Sequence, residues 1–206
     1  MSRCIQRIKY ICNQIRRFRY RKGFGVHSPF AFRLITEVIY ESYPYYSYSK
    51  IRDSKLESEK ENNRLSFKMT KLLFRLVNEF QPTLFLEVGP ESLLELPVTL
   101  AKEDIHYLYK EKFFSTGKEE LFPADFVFIH HTALEEDLKN SKDFILNSIH
   151  SKSLLVISGI GYSKKMKAIW KDIQQDERVG ITFDLYDVGL VFFDRKMNKQ
   201  HYLVKF

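Results

Sequence analysis

The chain has 206 residues, 44% of them hydrophobic, with 33 Lys and Arg against 26 Asp and Glu and a formal charge of +7. That length is enough for one domain with a substantial core and an appended segment. No stretch of roughly 18 apolar residues occurs, which excludes a helical membrane span, and the amino terminus lacks the apolar run of a secretory signal. Cys4 and Cys12 make neither a CxxC pair nor a disulfide framework. This fits a reducing compartment, so a cytoplasmic protein, at most peripheral to a membrane, is expected.

The positive charge is local. Met1 to Lys22 holds eight Arg or Lys and no acid, and without those eight the rest of the chain stands at −1. Ile8, Ile11, Ile15 and Phe18 recur at three- and four-residue steps while Arg16, Arg17, Arg19, Arg21 and Lys22 crowd the end, a pattern that predicts a basic amphipathic helix. Such a helix can lie on an anionic membrane surface, contact nucleic acid phosphates or a protein partner, or dock its stripe on the domain. The stripe is narrow and lacks a large aromatic face, so docking is expected; nucleic acid is not.

Gly23 and Gly25 break this helix, Ser28 can cap the next, and Pro29 suits its first turn. That second helix is expected to run to about Glu41, with Phe30, Leu34 and Val38 on its buried face. His27 before the cap reads as a local hydrogen-bonding residue. SYPYYSY at 42–48 is expected to fold as a loop against the domain, and the charged run from Ser49 to Ser66 as a solvated connection. From Ser66, Met69, Leu72, Leu73, Leu76, Val77 and Phe80 mark one helical face that Pro82 stops.

Strands are predicted at 83–88, 105–109, 126–130, 154–157, 181–186, 189–193 and 201–206, with helices near 92–102, 135–148 and 163–175 between the earlier ones. Alternation of strand and helix closed by an antiparallel hairpin describes an α/β sheet, and the turn after its first strand, TLFLEVGP, is where a ligand crevice belongs.

RKGFGVHSPFAF at 21–32, the tyrosine stretch, LLFRLVNEFQP at 72–82, LEVG at 86–89 and DLYDVGLVFFDRKMNKQHYLVKF at 184–206 resemble a bacterial family of class I S-adenosylmethionine-dependent methyltransferases, close to the small-molecule O-methyltransferases. The resemblance implies a Rossmann-like sheet, an N-terminal helical extension over residues 1–66, and a methyltransferase-like domain over 67–206. It implies S-adenosylmethionine held by Glu87 and Gly89 after the first strand and by Glu111 after the second, with a small-molecule acceptor near His130 and Ser158.

The departures from the family pattern are equally specific. The loop after Gly89 continues PESLLE with no second glycine, and Leu93 stands where one is expected, so its side chain should fill ligand space. Glu91 and Glu95 add charge that repels the methionine carboxylate or, at best, attracts its amino group. Only Lys112 to Ala124 separates the second strand from the third, too short for the usual crossover with an edge strand, so that strand should be missing. His130, Ser158 and Gly159 replace the acids that hold a divalent metal in O-methyltransferases, so no metal is expected. Adjacent strand residues face opposite sides, which should keep His130 and His131 apart. Two functions stay open: methyl transfer, or a noncatalytic scaffold or binding protein that acts through the basic helix.

Overall fold

The structure, a computed structural model, describes residues 11–13, 15–57, 65–90, 92–110, 123–132 and 146–206. Seven strands are present among them: β1 (Leu84–Val88), β2 (His106–Lys110), β3 (Phe126–Ile129), β4 (Leu154–Ser158), β5 (Ile181–Asp184), β6 (Val188–Phe192) and β7 (Gln200–Leu203). They form one sheet in the order β2-β1-β3-β4-β6-β5-β7. β2, β1, β3 and β4 are parallel neighbours, β6 is antiparallel to both β4 and β5, and β7 is parallel to β5. Only β6 is reversed. The hairpin is therefore β5–β6, and the last strand lies outside it as a parallel edge. Among the described residues nothing lies beyond β2, the side on which an edge strand was expected to be missing.

β1, β3 and β4 are apolar throughout, apart from Glu87 and Ser158, because helices cover both faces. Alternation along the strands divides the side chains into two cores. Phe85, Phe126, Phe128, Leu154 and Val156 pack beneath α1 (Pro29–Arg33, continued as a π-helix over Leu34–Ile39), α3 (Phe67–Phe80) and α4 (Glu95–Ala101). Leu86, Val88, Val127, Ile129, Leu155 and Ile157 face the other way, against Met166, Ile169, Trp170 and Ile173 of α5 (Lys164–Gln175). Each such fully buried side chain contributes about 2 kcal/mol before entropy is counted.

The capping signals act as read. Ser28 Oγ accepts from the Ala31 amide, Ser66 Oγ from the Met69 amide, and Gln81 ends α3 in the left-handed region before Pro82. The second helix departs from expectation in its latter half, where the backbone widens into a π turn and ends at Ile39. Arg75, buried on the otherwise apolar face of α3, donates from Nε to Val38 O at 2.6 Å and from Nη2 to Ile39 O at 3.1 Å. It satisfies the carbonyls that the wide turn releases.

One sequence expectation is corrected. Part of the charged connection is helical: α2 spans Ser47–Glu57 and is anchored by Ile51, which is 1% exposed; residues 58–64 lie outside the described set. Tyr45 and Tyr48 pack their rings on Phe74 at 5.2 and 5.5 Å, while Tyr43 and Tyr46 stand in solvent. One apolar residue per few turns suffices when aromatic neighbours supply the rest of the contact.

The amino-terminal helix is also seated differently. Ile11, Ile15 and Phe18 are exposed, and Arg17 is the buried residue. Its guanidinium donates to Asp184 Oδ1 at 2.8 Å, to Val204 O at 3.2 Å and to the Asp184 carbonyl. The helix docks through a charged pair and two backbone carbonyls, of which Asp184 O also accepts from the Val204 amide at 2.9 Å, and these charge-assisted bonds outweigh burying a narrow stripe. Ile8 lies outside the described residues.

Candidate functional site

Sheet register assembles the site. Val88 pairs with Lys110 on one side and Ile129 on the other, and Ile129 pairs with Ile157. The next residue along each strand, Gly89, His130 and Ser158, therefore forms a row along the carboxyl edge. This edge includes the place where the chain, having gone outward from β1 to β2, returns to β3, the topological switch point at which open α/β sheets bind ligands. The amide of His130 donates to Val88 O at 2.9 Å and closes the row. By alternation Glu87, His130 and Ser158 all belong to the face covered by α1 and α3.

Glu87 is 1% exposed, and both carboxylate oxygens are engaged: Oε1 accepts from Ser92 Oγ and Oε2 from Tyr107 Oη. Tyr107 comes from β2 and stacks on Phe85 at 5.4 Å with the rings 8° apart. Burial first, then the Glu87 charge, pushes its phenol well above the usual range, so it stays a donor. Gly89 has φ 134°, a conformation open to glycine that lets backbone approach a ligand closely. Beyond it Leu94 is fully buried in the core with α3 and β1, and Leu93 is half-buried. Glu91 and Glu111 lie outside the described residues.

At the neighbouring strand end His130 is buried, and its pKa falls to about 4, through burial first and then the neighbouring His131. It is a neutral imidazole at physiological pH. Its Nδ1 accepts from the Thr132 amide at 3.4 Å and lies 2.7 Å from the Thr132 hydroxyl, which leaves the ring proton on Nε2. The expected separation of the two histidines does not occur: β3 ends at Ile129, the chain turns, and the imidazole centroids come within 4.4 Å. Ser158 Oγ accepts from the His131 amide at 2.7 Å. Gly159 follows at φ 80°, and a Cβ there would collide with Cβ of His131.

Sequence reasoning missed Tyr107, Ser92 and Tyr162, and placed His131 away from His130. Tyr162 packs its ring edge-on to His131 at 5.4 Å, and its hydroxyl is pushed up to about 12 by burial and by Asp187. Asp187 is raised by burial against the pull of Lys68 and Arg17, and Lys68 is lowered by burial against the pull of Asp187. Strand parity could have found Tyr107, since it shares a face with Phe85 and Glu87. Nothing in the sequence links Tyr162 or Lys68 to the row.

Among the described residues no group of three or more His, Cys, Asp or Glu is placed to hold a metal ion, and no helix is long and apolar enough to cross a membrane. A cavity of about 310 Å3 opens at the opposite pole, between Leu146, Ile149, Phe193 and the basic side chains of Arg178 and Arg195.

No protein-family model matches the chain, and no curated protein matches it in sequence. Solved structures do match. The O-methyltransferase TomG from Streptomyces achromogenes, involved in tomaymycin synthesis and crystallised with SAM, aligns at 13% identity over 74% of this chain and 92% of its own, with a TM-score of 0.52. An O-methyltransferase from Bacillus cereus in complex with SAH aligns at 12% identity over 74% and 93%, with a TM-score of 0.46. With the strand order and the single reversed strand, the first likeness gives the chain the Rossmann-like fold of the class I methyltransferases, and at this identity it speaks for the fold alone.

Proposed function

We propose that this chain is a methyltransferase-fold protein whose donor cradle is closed by its own side chains, and that it acts as a noncatalytic binding protein. The observation that carries the reading is the occupied Glu87 carboxylate: Tyr107 and Ser92 already donate to both oxygens of the acid on which a donor would rely. The neighbouring groups are similarly engaged, Ser158 with the His131 amide and Leu94 with the core. A ligand entering here must first break hydrogen bonds in a buried place, which costs more than it would at an open site. Residues 1–66 belong to this reading as the part that presents a partner surface, and residues 67–206 as the inherited fold.

A second reading, methyl transfer to a small-molecule acceptor, is favoured by Gly89, whose backbone keeps the conformation suited to close ligand approach, and by the uncharged imidazole of His130. In it Glu87, Gly89 and Glu111 hold S-adenosylmethionine, which supplies an activated methyl group, while His130 and Ser158 face the acceptor and orient it. Isothermal titration with S-adenosylhomocysteine separates the two. The closed cradle predicts no heat at about 1 mM ligand, and a dissociation constant below about 100 μM would overturn it.

A further inference from the structure

We propose that residues 11–13 and 15–24 seat this protein on an anionic lipid surface. The inference goes beyond the reading above and holds whether or not a methyl donor binds.

It begins with the way the first helix is fastened. Arg17 points inward to Asp184 and Val204, and its guanidinium also lies over the Tyr186 ring at 5.7 Å. Fixing one residue of a helix fixes the direction of all the others. The apolar stripe is thereby turned to solvent, with Ile11 51%, Ile15 70% and Phe18 51% exposed. The turn that follows adds a fourth member. Lys22, Gly23 and Gly25 all have positive φ, the Phe24 amide donates to Arg21 O at 3.1 Å, and Phe24 is left at the tip, 78% exposed.

Exposed cations share this surface. Arg16, Arg19, Arg21 and Lys22 are exposed, and the Phe18 ring has the Arg21 guanidinium at 4.2 Å and the Lys205 ammonium at 5.1 Å. No acid occurs before Glu37. Exposed aliphatic and aromatic side chains interspersed with Arg and Lys satisfy both parts of a bilayer interface, the acyl boundary and the anionic headgroups. Nucleic acid phosphates would use the cations and leave Ile15 and Phe24 in water. A second copy of this surface would bring like charges together. Because Arg17 is tied to the end of β5, docking turns the Asp184–Asp187 corner of the carboxyl edge toward the lipid.

The test is flotation of the full chain with vesicles of phosphatidylcholine alone and with vesicles containing about a third phosphatidylglycerol. Binding to the anionic vesicles should be at least about tenfold stronger and should weaken with added salt. Ile15→Ser combined with Phe24→Ser should lower it about tenfold, and Arg16→Glu combined with Arg19→Glu should lower it at least as much. Both pairs are exposed, so the thermal midpoint of each variant should match that of the unaltered chain, which separates lost binding from lost folding. Equal binding to both vesicle types, no binding to either, or retention by the Ile15→Ser and Phe24→Ser variant would overturn the proposal. So would tighter binding to duplex DNA than to the anionic vesicles.

Discussion

The two poles of the sheet each hold a carboxylate, and among the described residues the donors that reach them differ in kind. At the amino pole Asp125 accepts from the Thr83 amide at 2.7 Å, the Leu84 amide at 3.1 Å and the Thr83 hydroxyl, with His150 Nε2 at 2.9 Å. At the carboxyl pole Glu87 accepts from two side-chain hydroxyls, those of Ser92 and Tyr107. Backbone amides at a strand entrance cannot rotate away without undoing β1, so Asp125 is a permanent stitch. Hydroxyls on rotatable side chains can exchange one partner for another at modest cost. An acid held by amides is fixed by the backbone, whereas the hydroxyls that reach Glu87 can be re-paired without moving a strand.

Breaking the stitch should have the largest effect. Asp125→Ala should cost about 3 kcal/mol, read as a lowered urea midpoint with little change in slope, because it removes the bonds from two amides, the Thr83 hydroxyl and His150 together. At the other pole Gly159→Ala should cost about 2 kcal/mol, from positive φ and from collision with His131, and should separate His131 from Ser158. Tyr107→Phe should cost about 1–2 kcal/mol by removing one donor from Glu87. The comparison would fail if Tyr107→Phe proved as damaging as Asp125→Ala, since Glu87 would then be a structural stitch as well.

The poles should also separate on an acid titration. Asp125 is held down to about 2: burial alone would raise it, but hydrogen bonds from Thr83, Leu84 and His150 prevail. Its folded pKa is depressed, so its stabilisation is present above the ordinary value of 3.8 and is lost as pH falls toward 2. His130 is depressed from 6.5 to about 4, so the folded state binds fewer protons than the unfolded one across that interval. Stability should therefore decline already as pH falls from 6.5 to 4. His130→Asn should flatten that upper window and Asp125→Asn the lower one, as measured by thermal midpoint against pH.

Much of the fold was legible in the chain. The apolar face of α3, the caps at Ser28 and Ser66, the strand cores and the short interval after β2 are local patterns that an isolated stretch carries. The Glu87, Gly89, His130 and Ser158 positions were equally visible, because strand ends in an alternating α/β pattern can be counted. The errors arose where a side chain answered to a distant partner. α2 is nearly devoid of apolar residues and is held by Ile51 and by tyrosines meeting Phe74, a contact that its own sequence does not announce. The two histidines met because β3 stopped one residue early.

The order of apolar and polar residues thus determined by itself most of the helices and strands, α2 excepted, and which residues reach the carboxyl edge, since these depend on period and count. The tertiary structure alone decided what those residues face. A carboxylate finds its hydroxyls, and an arginine its carbonyls, only when strands and helices far apart in the chain have been packed together. Glu87 was consequently paired with Tyr107, and the amino-terminal helix was turned by Arg17 so that its apolar stripe looks outward.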